Sequence, residues 1–230
     1  MGKYAILLDT RFCTGCNTCF YKCVQENRLH ESANQGYART MVLIRDKGLF
    51  HHRCMHCEEP SCVATCPSGA FAKTPEGIVL YDSQPCLGCK SCVIACPFNI
   101  PQWDMKKKEV IKCTMCAHRV LKGKQPACVE VCPTDALEFG LYEEITGKAK
   151  QIAAENKLNI YGLEENGGTS VIILTKEDPI AIGYPEVSKS ATKARGPKTI
   201  VGTAAVAALA YAGIKKYTER RAEIEGKKDE

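Results

Sequence analysis

Sixteen cysteines decide what this 230-residue chain can become. All of them fall between Cys13 and Cys132, and they come in four groups of four. Group one is Cys13, Cys16, Cys19 and Cys23, spaced C-x2-C-x2-C-x3-C. Group two is Cys54, Cys57, Cys62 and Cys66, with one longer gap. Group three, Cys86, Cys89, Cys92 and Cys96, repeats the first spacing. Group four is Cys113, Cys116, Cys128 and Cys132, with eleven residues in its middle gap. Every group ends in C-x3-C, and Pro67, Pro97 and Pro133 follow three of the final cysteines. Val24 stands at that place in group one.

Cysteines two apart on a tight turn aim their sulfurs at one point, which suits a metal centre better than separate disulfides. C-x2-C-x2-C-x3-C-P is the bacterial ferredoxin run, whose first three cysteines hold one [4Fe–4S] cluster and whose fourth reaches another. The proline fixes φ and turns the chain away after the fourth ligand. Sixteen thiolates at four per cluster give four clusters with nothing left over. Zinc ribbons instead pair two C-x2-C knuckles across a long gap. No ligand position is replaced, so cubanes are expected rather than [3Fe–4S] centres. Spacing alone leaves open which groups exchange their fourth cysteines.

An internal repeat accompanies the groups. Ile6–Cys23 aligns with Ile78–Cys96, each an apolar strand with an Asp four residues ahead of its first cysteine (Asp9 and Asp82). Strands are expected at Tyr4–Leu8 by alternation, at 41–46, on either side of the Pro75-Glu76-Gly77 turn, and at 110–112. The core is thin by residue count, so metal binding is expected to supply much of the folding free energy. The formal charge of +5 counts thiols as neutral. With sixteen thiolates on four clusters of core charge about +2 it becomes roughly −3, so apparent basicity is no argument for nucleic acid. The first ten residues do not read as a signal peptide or a twin-arginine leader.

Residues 1–142, with all sixteen cysteines in order, resemble the four-cluster electron-transfer (beta) subunits of complex iron–sulfur molybdoenzymes and related membrane hydrogenases. The stretch 159–186, with its Asn166-Gly167-Gly168-Thr169 turn, resembles respiratory formate dehydrogenase beta subunits most. The equivalent subunit of a membrane-bound nickel–iron hydrogenase or of another molybdoenzyme reductase is the alternative. The resemblance implies an α+β fold of two nested ferredoxin-like modules, the outer about 1–40 with 105–142 and the inner about 41–104. An extension would follow at 143–187, with a helix over 143–157 and a strand over 170–175. It also implies a ligand pairing. Cluster 1 would take Cys13, Cys16, Cys19 and Cys132, and cluster 2 Cys54, Cys57, Cys62 and Cys96. Cluster 3 would take Cys86, Cys89, Cys92 and Cys66, and cluster 4 Cys113, Cys116, Cys128 and Cys23. The implied partners are a molybdopterin or tungstopterin catalytic subunit and a membrane cytochrome b or quinone-binding subunit, in a complex of anaerobic respiration.

A polar linker at 188–198 leads to a segment at 199–217 whose first sixteen residues are uncharged and mostly apolar, followed by a charged tail at 218–230. This segment is expected to be a single C-terminal transmembrane helix with a small-residue seam at Ala204, Ala208 and Ala212. Six Lys and Arg residues follow its uncharged stretch 199–214 and four precede it, which places the tail in the cytoplasm and the clusters on the periplasmic face of a bacterial membrane. No constellation for catalysis appears. His51, His52, His56 and His118 lie near the cysteines and read as surface or supporting residues. Lys90 and Lys112 read as solvated, Trp103 as a packing residue, and 122–126 as a basic loop.

Overall fold

The computed structural model describes residues 2–189. The chain begins with β1 (Tyr4–Asp9), α1 (Thr18–Glu26) and α2 (His30–Asn34), followed by the hairpin β2 (Thr40–Arg45) and β3 (Gly48–Arg53). After α3 (Ser61–Ala64) comes the hairpin β4 (Phe71–Lys73) and β5 (Val79–Tyr81), then α4 (Ser91–Ala95) and the hairpin β6 (Gln102–Asp104) and β7 (Glu109–Ile111). Two short helices, α5 (Ala117–Val120) and α6 (Ala127–Glu130), lead to β8 (Leu137–Leu141) and α7 (Tyr142–Asn156). The described chain closes with β9 (Asn159–Tyr161), β10 (Val171–Thr175) and α8 (Pro179–Ile182).

The only sheet of more than two strands among the described residues runs β8-β1-β10-β9. β1 lies antiparallel to β8 and parallel to β10, with Ile6 opposite Phe139 on one side and Val171 on the other. The strand expected from alternation at Tyr4, Ile6 and Leu8 is β1, in which Ile6 and Leu8 are buried. Ala5, Leu7 and Asp9 are buried as well. The reason is α7, whose Ile145, Ala149 and Ala153 cover the second face against Ala5, Leu7, Ile172 and Leu174. A helix over two-sided strands requires apolar residues at both parities, and "AILL" supplies them. The extension after residue 142 is therefore part of the same sheet, joined to the cysteine region also by a bridge between Cys57 and Thr169.

The expected helix over 143–157 is observed as Tyr142–Asn156, with Lys157 in the left-handed region closing it. The expected strand over 170–175 starts one residue later. On the other face of the sheet, Ile6, Leu8, Val171 and Ile173 share a core with Cys19, Cys54, Cys57, Cys113 and Cys128, so cysteines occupy places that Leu or Val fill in ordinary interiors. Among the described residues no helix is long and apolar enough to cross a membrane. The segment expected to do so, 199–217, lies outside the described residues, as do the charged tail and nearly all of the linker.

Candidate metal centres

Each cysteine group is a turn entering a short helix, and the turns share a backbone rule. The residue before the second cysteine takes positive φ in all four: Gly15 at 72°, His56 at 50°, Gly88 at 68° and Met115 at 51°. The left-handed bend turns a backbone N–H back onto the first sulfur. Met115 N–H reaches Cys113 Sγ at 3.3 Å, and Gly15 and His56 do the same for Cys13 and Cys54. A second rule follows the last cysteine. In C-P-x-x the third residue on also has positive φ (Gly69, Asn99, Asp135), and its N–H is directed to the cysteine carbonyl. Group one lacks both the proline and this turn, and α1 runs nine residues where α3, α4 and α6 run four or five.

The helices bring the groups together in pairs. α1 packs on α6, and α3 packs on α4. Cys13, Cys16, Cys19 and Cys132 line one cavity, partly open to solvent. Cys23, Cys113, Cys116 and Cys128 line a second. Cys54, Cys57, Cys62 and Cys96 line a third. The remaining four gather at the β4–β5 hairpin. Cys66 and Cys86 pack on the apolar cluster containing Cys92, and the charge of Cys66 reaches Cys89 and Cys92.

The neighbours fix an order. Cys19 and Cys23 lie one turn apart on α1, and the field of Cys128 reaches Cys19. The field of Cys113 reaches Cys54. Cys62 lies in α3 and Cys66 just beyond its end, and Cys92 lies in α4 and Cys96 caps its end. The four sets thus form a row: the cavity of Cys13, that of Cys113, that of Cys54, and the cluster of Cys86.

This donor chemistry fits iron–sulfur cubanes. All sixteen cysteines are free thiols. Among the described residues no three His, Cys, Asp or Glu side chains converge on a single ion, as a zinc site with bonds of about 2.3 Å to sulfur would require. Four sulfurs standing around a void suit a cubane, which takes one thiolate per iron. Burial pushes the thiols up: Cys19 and Cys116 to about 11, Cys62 to about 12, and Cys23 and Cys57 further. Four thiolates in such a cavity therefore need a cationic core beside them. The two exposed cysteines behave oppositely. The Thr18 hydroxyl lowers Cys16, at 3.3 Å, and the Ser91 hydroxyl lowers Cys89. They stand at the two ends of the row.

The histidines divide. His51 is buried, with Nε2 at 3.2 Å from Cys13 Sγ, and burial together with the Arg53 charge pushes it down to about 3, so it is neutral. His56 is also buried, its Nδ1 accepting from Val79 N–H at 2.9 Å. His52 is partly buried, and His118 sits on the surface, 3.1 Å from Glu26. Trp103 packs over Gly88, and Lys90 lies above its ring at 5.6 Å. The loop at 122–125 is exposed. Lys112 corrects the expectation of a solvated residue. It is 2% exposed and donates to the carbonyls of Val79 at 2.5 Å and Cys113 at 2.7 Å. Sequence reasoning missed Arg53 entirely. It is 1% exposed and its Nη2 donates to Cys128 Sγ at 3.0 Å. Its only signal in sequence is adjacency to Cys54, which a surface arginine would share.

A fold of ferredoxin-type turns holding four-cysteine sets in a row defines an electron carrier rather than a site for transforming a substrate. Comparison with known proteins agrees. The family described as "4Fe-4S dicluster domain" matches residues 45–142. The chain is 38% identical over 170 residues to the probable anaerobic dimethyl sulfoxide reductase chain YnfG of Escherichia coli K12, covering 66% of this chain and 80% of that one. It is 34% identical over 203 residues to the nitrate-inducible formate dehydrogenase iron–sulfur subunit of the same organism (74% and 67%). It is 30% identical over 251 residues to the hydrogenase-2 operon protein HybA of E. coli O157:H7 (84% and 76%). The chain belongs to this family of iron–sulfur subunits, the non-catalytic electron-transfer members of oxidoreductase complexes.

Proposed function

We propose that this chain carries four [4Fe–4S] clusters in two nested modules and connects a molybdenum- or tungsten-dependent catalytic subunit to a membrane cytochrome or quinone-binding subunit. The ligand sets are those the resemblance implies: Cys13, Cys16, Cys19 and Cys132; Cys113, Cys116, Cys128 and Cys23; Cys54, Cys57, Cys62 and Cys96; Cys86, Cys89, Cys92 and Cys66. The observation that carries the reading is the lining of three cavities by three of these sets, with the fourth gathered beside them. Bound clusters supply one-electron chemistry, their potentials set by hydrogen bonds, charge and exposure. The chain's own work is to space the sites, exclude water from the inner ones and leave the outer ones accessible.

Both ends of the row carry apolar surface suited to a partner. Phe12 (54% exposed) and Ile44 (78%) flank the Cys16 turn, Ile44 standing beside Gly15. Leu87 (74%) and Ile94 (85%) flank Cys89. The Cys16 end is assigned to the catalytic subunit and the Cys89 end to the membrane partner. Formate dehydrogenase is supported by the resemblance of 159–186. The dimethyl sulfoxide reductase chains share higher identity, and both belong to the molybdoenzyme class proposed here. The segment 199–217 is proposed as a membrane anchor with the clusters on the periplasmic side, and protease added outside intact cells should then cleave the cluster region.

Anaerobic co-purification followed by metal analysis tests the assignment. About sixteen irons per chain, at four per cubane, and a partner holding molybdenum or tungsten are expected. Nickel in the partner would move the chain to a hydrogenase, and zinc in place of iron would end the reading.

A further inference from the structure

Two buried cations stand between successive cysteine sets. Arg53, at the end of β3, lines the cavity of Cys23, Cys113, Cys116 and Cys128. Its Nη2 donates to Cys128 Sγ at 3.0 Å, and its charge also reaches Cys19 on α1. Cys19 belongs to the neighbouring set, so one guanidinium serves two sites. Its Nε and Nη1 are buried without a partner among the described residues. A buried arginine with idle donors is costly unless acceptors arrive with a ligand. Cluster sulfides in the cavity it lines are such acceptors. Lys112, the residue after β7, occupies the next interval: it lines the cavity of Cys54, Cys57, Cys62 and Cys96 and donates to the carbonyl of Cys113 in the set before. The Cys13 cavity itself is lined by the neutral His51.

Adding an electron to a cubane bearing four thiolates adds negative charge, and a fixed cation nearby favours the reduced form. Two such clusters side by side repel one another, and a cation between them offsets that repulsion. We propose that Arg53 and Lys112 are built-in counter-charges that raise the reduction potentials of the clusters in the middle of the row, Arg53 for the Cys113 set and Lys112 for the Cys54 set. This rests on the cluster assignment above.

The test is a redox titration, followed by electron paramagnetic resonance, of the complex purified with the full chain, its signals assigned with Cys128→Ser and Cys86→Ser variants. In Arg53→Gln the reduced-to-oxidised ratio of the Cys113-set cluster at a fixed potential should fall at least tenfold, which is 59 mV for a one-electron couple. Lys112→Gln should do the same to the Cys54-set cluster. Arg53→Lys should stay within threefold of the wild type, and the Cys86-set cluster should not move in any variant. Unshifted potentials in fully loaded Arg53→Gln, or an equal shift in all clusters, overturn the inference. If Arg53→Gln loses iron, Arg53→Lys decides: a loaded cluster at the wild-type potential supports the role, and a tenfold fall overturns it. If neither Arg53 variant loads, Lys112→Gln decides by the same criterion for the Cys54 set. A wild-type chain with fewer than four clusters fails the underlying assignment instead, and the inference falls with it.

Discussion

At the scale of single residues, the constraint is the left-handed turn before each second cysteine. Gly15 and Gly88 adopt it at little cost, while His56 and Met115 adopt it against the sterics of an L side chain. Both are buried, and His56 is also pinned by Val79 N–H, so surrounding contacts hold the strain. Gly88 has no such latitude. With φ at 68°, an added Cβ would lie 3.0 Å from the Trp103 ring. Gly88→Ala should therefore cost about 1–3 kcal/mol, read as a lowered thermal midpoint of the loaded protein and faster loss of its visible absorption. Gly36→Ala, also at positive φ but with nothing within 4 Å, should cost less and separates crowding from backbone strain. Much of this scale was hidden in the sequence. Cysteine spacing and the C-P pairs announce the turns. Nothing in the sequence marks His56 and Met115 as holding the glycine's place, or Arg53 and Lys112 as buried, because those facts come from chain segments distant in sequence.

At the scale of elements, the departure at Val24 has a structural consequence. Where proline follows the last cysteine, the helix stops, because proline disfavours helical φ/ψ in the residue before it and removes a donor. Val24 lets α1 continue, and the added turn is used. Leu29 N–H bonds the Val24 carbonyl, Asn27 bonds the Cys23 carbonyl through both its backbone and side chain, and Glu26 accepts from Arg119 at 3.1 Å. Val24→Pro would impose the pattern of the other groups at the expense of these contacts. It should destabilise the loaded protein by about 3 kcal/mol or more, measured as a shift in thermal unfolding, with the α1 amides exchanging faster. An unchanged midpoint would mean that the helix extension contributes nothing. Elements with a strong local pattern were legible to within a residue, as for α7 and β10. The two-sided burial of β1 was not, since it depends on a helix more than 130 residues later in the chain.

At the scale of the whole molecule, the protein has two kinds of interior. One is the face between α7 and the sheet, where Ala5, Leu7, Ile145, Ala149, Ile172 and Leu174 meet without a cysteine. The other lies on the opposite side of the sheet and is shared between aliphatic residues and thiols that burial keeps protonated in the absence of iron. Ligation must deprotonate those thiols, so cluster assembly couples proton release to folding. Removing iron does the reverse: it leaves unfilled sites where the clusters' bonds had joined separate segments. The two interiors should then part company. Hydrogen exchange on the iron-stripped chain is expected to show α7 and β10 as the slowest segments, while 13–66 and 86–132 exchange at nearly unprotected rates. Reloading with iron and sulfide should restore protection to both cysteine segments together, since α1 leans on α6 and α3 on α4 across the sequence. If α7 loses protection along with the cysteine turns, the sheet has no independent stability and the metal centres hold the whole chain. If the cysteine turns stay protected without iron, their interior is stabilised by side-chain packing alone.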